Sequence, residues 1–130
     1  MPPRIYDERG DVGSALLLML ATIQVVLMVF HASLVFHGRQ VATSAAQEAL
    51  GTAQLLEGDI DAGKAAGDNV LAISGGLFVA SNVNIVVDSP GMMTVTVTAE
   101  VDTKLFPYVN DVTVKVSGPR ERLLAERERQ

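Results

Sequence analysis

The chain has 130 residues, of which 48% are hydrophobic and only 5% aromatic, and its formal net charge is −5. A membrane segment in a chain of this length leaves fewer than about 100 residues for a folded part, which is too few for an enzyme with a separate substrate domain. Basic residues are sparse between Arg9 and the C-terminal end, so the chain has no row of basic side chains that could bind the phosphates of a nucleic acid. We therefore expect no nucleic-acid partner. The absence of cysteine excludes disulfides, cysteine-ligated metal centres and thiol catalysis.

The strongest feature is a run of 27 residues without Asp, Glu, Lys or Arg, from Val12 to Gly38. As a helix rising about 1.5 Å per residue it is roughly 40 Å long, against a hydrocarbon core of about 30 Å. A small soluble domain cannot cover such a helix on all sides, and a cleaved signal peptide has a shorter apolar core. The sequence therefore predicts a short N-terminal segment at residues 1–11 and a transmembrane helix at residues 12–37.

The distribution of basic residues predicts the orientation of this helix. Arg4 and Arg9 precede the run, whereas Arg39 on the far side is followed by no basic residue until Lys64. Because cytoplasmic flanks carry the excess of Lys and Arg, we expect the N-terminus in the cytoplasm and the C-terminal domain outside a bacterial cytoplasmic membrane.

Three residues in or bordering the run share one helix face. Gln24, His31 and Gly38 recur every seven residues. Such a face either packs against a helix of another protein, where the polar groups find hydrogen bonds, or carries a proton relay or metal pair. We favour packing as the simpler interpretation. His37 lies about 120° from this face, which disfavours a two-histidine metal pair.

No helix breaker follows the run, so the helix is predicted to continue as a stem over residues 38–58, ending near Glu57 or Gly58. Small residues recur every four positions along it and allow close approach of another element, either this chain's own domain or a neighbouring subunit. Together with Gln24 and His31 they form the candidate helix-packing face: Gly38, Ala42, Ala45, Ala46, Ala49 and Ala53.

The outer part, residues 59–118, is predicted to hold a short second helix and three antiparallel strands. The helix ends at Gly75-Gly76, with Ala62, Ala65, Ala66, Val70 and Ile73 at helical spacing. Gly63 and Gly67 are expected at a crossing point and not in a phosphate loop, because no Gly-Lys-Ser/Thr accompanies them.

Strands are predicted where the period changes to two, at residues 82–88, 92–101 and 111–118. Val83, Ile85 and Val87 share a face of the first strand, Met93 to Val101 alternate with threonines in the second, and Val112, Val114 and Val116 alternate in the third. The fold class is α+β, with a sheet covered by the stem or the second helix, and a charged tail at residues 119–130.

The titratable residues do not form a catalytic pattern. Both histidines belong to the apolar run or its edge, so the outer part lacks the base of a Ser-His-Asp arrangement. Asp59, Asp61 and Asp68 lack the glycine and terminal glutamate of a calcium-binding loop, and helix N-capping explains Asp59 or Asp61 more simply. We expect no enzymatic activity, no cofactor or metal, and no small-molecule substrate.

Short sequence motifs in a fixed order resemble a known family. They are E-R-G at Glu8 to Gly10, H-G-R-Q-V-A at His37 to Ala42, TVTVTAEV ahead of L-F-P at Leu105 to Pro107, and V-S-G-P-R-E-R at Val116 to Arg122. With the long apolar helix and small sheet, they resemble the type IV pilin plan, and within it the TadE-like proteins of Tad (Flp) pilus systems. The resemblance covers nearly the whole chain.

The resemblance implies a minor pilin or pseudopilin that helps to assemble or prime an adhesive pilus. Its implied partners are membrane lipid, other Tad pilin or pseudopilin subunits, the pilus assembly platform and a prepilin peptidase. The peptidase would cut after Gly10, ahead of Asp11, or less favourably after Gly13, ahead of Ser14. Where the family usually has a glutamate about five residues after the cut, this chain has Ala15 or Leu16.

An alternative of another class is an uncleaved, signal-anchored envelope protein, either a receptor or sensor or an accessory subunit of a membrane complex. Genes for a pilus ATPase and platform beside this one would favour the pilin interpretation. A neighbouring kinase or transporter gene would favour the alternative.

Overall fold

The structure is a computed structural model that describes residues 8–55, 59–89, 91–103 and 110–120. Its elements in chain order are α1 (Glu8–Leu55), α2 (Ile60–Ile73), β1 (Phe78–Ser89), β2 (Met92–Val101) and β3 (Asp111–Pro119). This layout confirms the α+β class, with its long first helix, short second helix and antiparallel sheet. The chain divides between Ser33 and Leu34 into two compact units, here called the N-terminal and C-terminal units.

Helix α1 begins four residues earlier than the charge-free run, because Glu8 to Asp11 already adopt helical conformation. Part of the segment predicted at residues 1–11 is therefore helical. The helix reaches Leu55, and its predicted end near Glu57 or Gly58 lies outside the described residues.

The sheet is a three-stranded antiparallel meander in the order β1-β2-β3, with β2 at the centre. Val97 pairs with Val83 on one side and Val114 on the other. Valines and threonines alternate along β2. Because side chains on a strand point alternately to opposite sides, the valines form one buried, apolar face of the sheet, here called the dry face. The largest fully buried side chains of the described residues lie on that face: Met93, Val95, Val97 and Val101.

The edge strands follow the predicted alternation only in part. Val83 and Ile85 are buried, and Val87, which pairs with the buried Met93, lies on the same face as predicted but is 38% exposed. Val87 lies near the end of this edge strand, next to the register shift between Val87 and Ser89. Val114 and Val116 on edge strand β3 are half-buried, and β1 begins at Phe78, four residues before the predicted start.

The outer half of α1, which we call the stem (residues 38–55), lies along the dry face of the sheet. A Cβ at Gly38 would lie 2.6 Å from Val101 Cγ2. At the other end, one at Gly118 would lie 3.0 Å from Leu50 Cδ2, and Gln54 Nε2 donates to the carbonyl oxygen of Pro119 at 2.5 Å. The alanines between these ends have no exposed surface: Ala42, Ala45, Ala46, Ala49 and Ala53.

Helix α2 begins at an N-cap and crosses the stem closely. The Asp59 carboxylate accepts hydrogen bonds from the backbone N–H groups of Asp61 at 3.0 Å and Ala62 at 3.2 Å, so Asp59 and not Asp61 is the cap. Gly63 and Gly67 are both buried against stem alanines and β1, which confirms the predicted crossing point.

The buried face of α2 differs from the one that its apolar pattern predicted. It consists of Gly63, Gly67 and Leu71, spaced by four, whereas Ala65 and Ile73 are exposed. Glycine is required most clearly at Gly63, where a Cβ would lie 2.8 Å from the Ala49 carbonyl oxygen. At Gly67 a Cβ would lie 3.1 Å from Ala49 Cβ, which is a tight contact.

Candidate functional site

The exposed apolar surface of the N-terminal unit is the candidate functional site. Its large side chains are more than 40% exposed at nearly every position from Val12 to Phe30, including Leu17 at 69% and Met28 at 66%. A core helix of a soluble domain buries most of its apolar side chains, and this one does not. Among the described residues, α1 alone is long and apolar enough to cross a membrane, which supports anchoring by a single span.

The hydroxyl groups within the apolar run are satisfied by the helix itself. Ser14 Oγ donates to the carbonyl oxygen of Asp11 at 2.9 Å, Thr22 Oγ1 to that of Leu18 at 2.8 Å, and Ser33 Oγ to that of Val29 at 2.9 Å. Hydrocarbon offers no water to replace these bonds, so internal pairing is what allows such groups to face lipid. These three residues therefore require no protein partner.

Gln24 differs from these hydroxyl residues. Its side chain is exposed near the middle of the apolar run, and no hydrogen bond of its amide is found within the described part of the chain. An amide carries two N–H donors and a carbonyl acceptor, and leaving such a group unpaired in hydrocarbon costs several kcal/mol. Of the face predicted from the seven-residue spacing, Gln24 is the residue that most needs a partner from outside the chain.

The structure divides the predicted helix-packing face. Gln24 and the half-buried His31 belong to the N-terminal unit, whereas Gly38 and the five stem alanines are buried within the C-terminal unit. The sequence left open whether the small-residue surface meets this chain's own domain or a neighbouring subunit, and the structure fills it with the chain's own sheet and α2. The stem part of the face is therefore closed to other subunits.

The candidate cleavage residues lie in the first turns of α1. Gly10, Asp11, Gly13 and Ser14 are all helical and exposed. A Cβ at Gly10 or Gly13 would meet no described atom within 4 Å, so neither glycine serves a close contact within the described chain. Each glycine lowers helix stability by about 1 kcal/mol relative to alanine, and packing in the described structure does not explain that cost.

Groups that could support catalysis or hold a metal are scattered in the structure. In residues 8–55, 59–89, 91–103 and 110–120, no three His, Asp or Glu side chains gather as a metal site would require. An open depression of about 300 Å³ on the sheet holds the carboxylates of Glu100 and Asp111, together with Ser81 and Thr98, but no histidine. This arrangement suits a solvated surface.

Comparison of the chain with known protein families, curated proteins and solved structures finds no match.

Proposed function

We propose that this chain is a TadE-like minor pilin or pseudopilin that takes part in assembling or priming a Tad (Flp-type) adhesive pilus through helix packing with other pilin subunits. In this proposal the protein spans the bacterial cytoplasmic membrane once, with its N-terminus inside and its C-terminal unit outside. The chain acts by binding and catalyses no reaction.

The observation that carries the proposal is the contrast along the apolar helix between self-satisfied hydroxyls and the exposed Gln24 amide. Ser14, Thr22 and Ser33 donate to carbonyl oxygens of α1, as a helix that faces lipid alone would need. The Gln24 amide has no such bond within the described chain, so a helix of another subunit is the natural source of its hydrogen bonds.

Two further features support an assembly role. The C-terminal unit fills its own core with the stem alanines, whereas the large side chains of the apolar half of α1 stay exposed and available to partners. Gly10 and Gly13 are exposed in the first turns of that helix without a packing role in the described chain, which suits a prepilin-peptidase site after Gly10.

Gln24→Leu is expected to weaken copurification of the full-length protein with pilin-like subunits by about 3- to 30-fold, the equivalent of 0.6 to 2 kcal/mol for an interhelical hydrogen bond. Membrane insertion should be unchanged or improved, because leucine is apolar. The measurement is the amount of partner recovered from native membranes in mild detergent with an affinity-tagged chain.

The matched control for this experiment is Val29→Leu, which changes an apolar side chain that is 61% exposed on another face of the helix. It should leave partner recovery unchanged. Equal recovery with wild type and Gln24→Leu would remove the packing argument. A kinase or transporter as the principal partner would instead favour the signal-anchored alternative.

A further inference from the structure

The apolar half of α1 carries leucines at heptad spacing around Gln24. In a heptad lettered a to g, two helices that pack side by side touch through positions a and d. With Gln24 at position a, position d is leucine three times in succession, at Leu20, Leu27 and Leu34. These a and d positions, here called the heptad seam, are in chain order Gly13, Leu17, Leu20, Gln24, Leu27, His31 and Leu34. A seven-residue period of this kind favours the small crossing angle of two helices wound left-handedly around each other.

The N-terminal part of the heptad seam is open. Leu17 is 69% exposed and Leu20 is 63% exposed, and Gln24 is exposed one turn further on. A Cβ at Gly13 would meet no described atom within 4 Å. From Leu34 onward the chain uses the seam itself, because Leu34 packs against the core of the C-terminal unit. The stretch from Gly13 to Gln24 is therefore the part that a second helix can reach.

Gln24 determines which groups a partner helix must present, and at which depth. Its amide lies near the middle of the apolar run, so the partner has to offer a donor and an acceptor at the same depth of the bilayer. A second copy of this chain meets that requirement, because copies inserted in one orientation hold residue 24 at one depth. An amide is also complementary to another amide, since each can donate an N–H to the carbonyl oxygen of the other.

No like charges oppose the pairing of two copies along the heptad seam. The run from Val12 to Gly38 contains no Asp, Glu, Lys or Arg. Asp11, just ahead of the run, falls at position b, which points away from the contact of two helices. In a parallel pair in register each a or d residue meets its own copy, so Gly13 faces Gly13 and the two backbones can approach closely there.

We propose that the heptad seam packs against the seam of a second copy of this chain, parallel and in register, so that the two Gln24 amides hydrogen-bond to each other. The inference rests on the proposed function, whose helix-packing site it shares, and it names a second copy as the subunit that meets Gln24. The pair is symmetric about an axis between the two helices, so the contact closes at two chains.

The test uses disulfide formation between single cysteines, because the natural chain contains none. Full-length Leu17→Cys and Leu18→Cys are each reconstituted at low density in phosphatidylcholine vesicles and oxidised with copper phenanthroline. Both leucines are 69% exposed, and they differ by only about 1.5 Å in depth, but Leu17 alone belongs to the heptad seam. We expect Leu17→Cys to give several-fold more disulfide-linked dimer than Leu18→Cys.

Substitutions of Gln24 in the Leu17→Cys chain separate the amide pair from apolar packing of the seam. Gln24→Leu removes the amide and should lower the yield of dimer by about threefold or more. Gln24→Asn keeps an amide at the same position and should retain most of the dimer. Because the vesicles contain no other protein, each yield reports on contacts between copies of this chain alone.

Equal yields of dimer from Leu17→Cys and Leu18→Cys would overturn the inference, as would a yield that Gln24→Leu leaves unchanged. The proposed function survives such a result if the affinity-tagged wild-type chain still recovers other pilin-like subunits from native membranes. The reverse result is a seam dimer in vesicles without recovery of any pilin-like subunit from native membranes. It would support the pairing of two copies and contradict the proposed function.

Discussion

Val97→Asp is expected to prevent the C-terminal unit from folding. Val97 is fully buried at the centre of the sheet, between Val83 and Val114. A carboxylate placed there loses its water and gains no hydrogen-bond partner from the surrounding aliphatic side chains, which costs several kcal/mol. Since the whole stability of a small domain is about 5–15 kcal/mol, and less for a unit of this size, one such change removes most of it.

The control for this substitution is Thr96→Asp, one residue earlier in the same strand. Thr96 points to the opposite, polar face, where its cross-strand neighbours are Asn84 and Lys115. An aspartate there faces a lysine, so its effect on the free energy of unfolding should be within about 1 kcal/mol. Circular dichroism melting of both variants in detergent provides the measurement, and equal melting temperatures would contradict the assignment of the two faces.

The same chemical change at two helical glycines is expected to have opposite effects. A methyl group at Gly63 would lie 2.8 Å from the Ala49 carbonyl oxygen, 2.8 Å from Ala53 Cβ and 2.9 Å from Ile85 Cδ1. The first of these atoms is backbone of the stem and cannot move without shifting the helix. Gly63→Ala should therefore lower stability by about 1–3 kcal/mol through overpacking, despite the gain in helix propensity.

Gly51→Ala is the matched variant, because a Cβ at Gly51 meets no described atom within 4 Å. It should raise stability by up to about 1 kcal/mol through helix propensity. For a unit of this size each kcal/mol corresponds to about 4–8 °C in melting temperature, so thermal unfolding separates the two variants. If both substitutions raise the melting temperature, α2 does not pack on the stem as described.

Where one physical signal dominates, the sequence was sufficient to predict the fold. The strict alternation from Met93 to Val101 predicted the central strand with its boundaries. A hydrophobic period of two over this length indicates a strand with one buried face and fits few other structures. The charge-free run predicted the long helix. The pattern failed for Ile73, because the close approach of α2 to the stem at Gly63 and Gly67 decides which face of α2 is buried.

The candidate site was predictable only in part, because residue types show that a contact exists but not which element makes it. Gln24 is recognisable from sequence, because an amide in the middle of an apolar span is costly wherever the helix lies. The alanine stripe of the stem shows that another element approaches closely, but the residue types are the same whether that element is an internal sheet or another subunit. The exposure of Ile73 had no signal in sequence, because it depends on which face of α2 the two glycines bury.

The most direct test of the central claim is site-specific photocrosslinking from residue 24 in native membranes. With a photoreactive amino acid in place of Gln24, we expect an adduct with a second small, single-span pilin-like chain, and with the same group at Val29 much less of that adduct. Adducts from both positions with lipid alone, or equal adducts with the same protein from both faces, would contradict the claim that α1 uses the Gln24 face to pack against a pilin subunit.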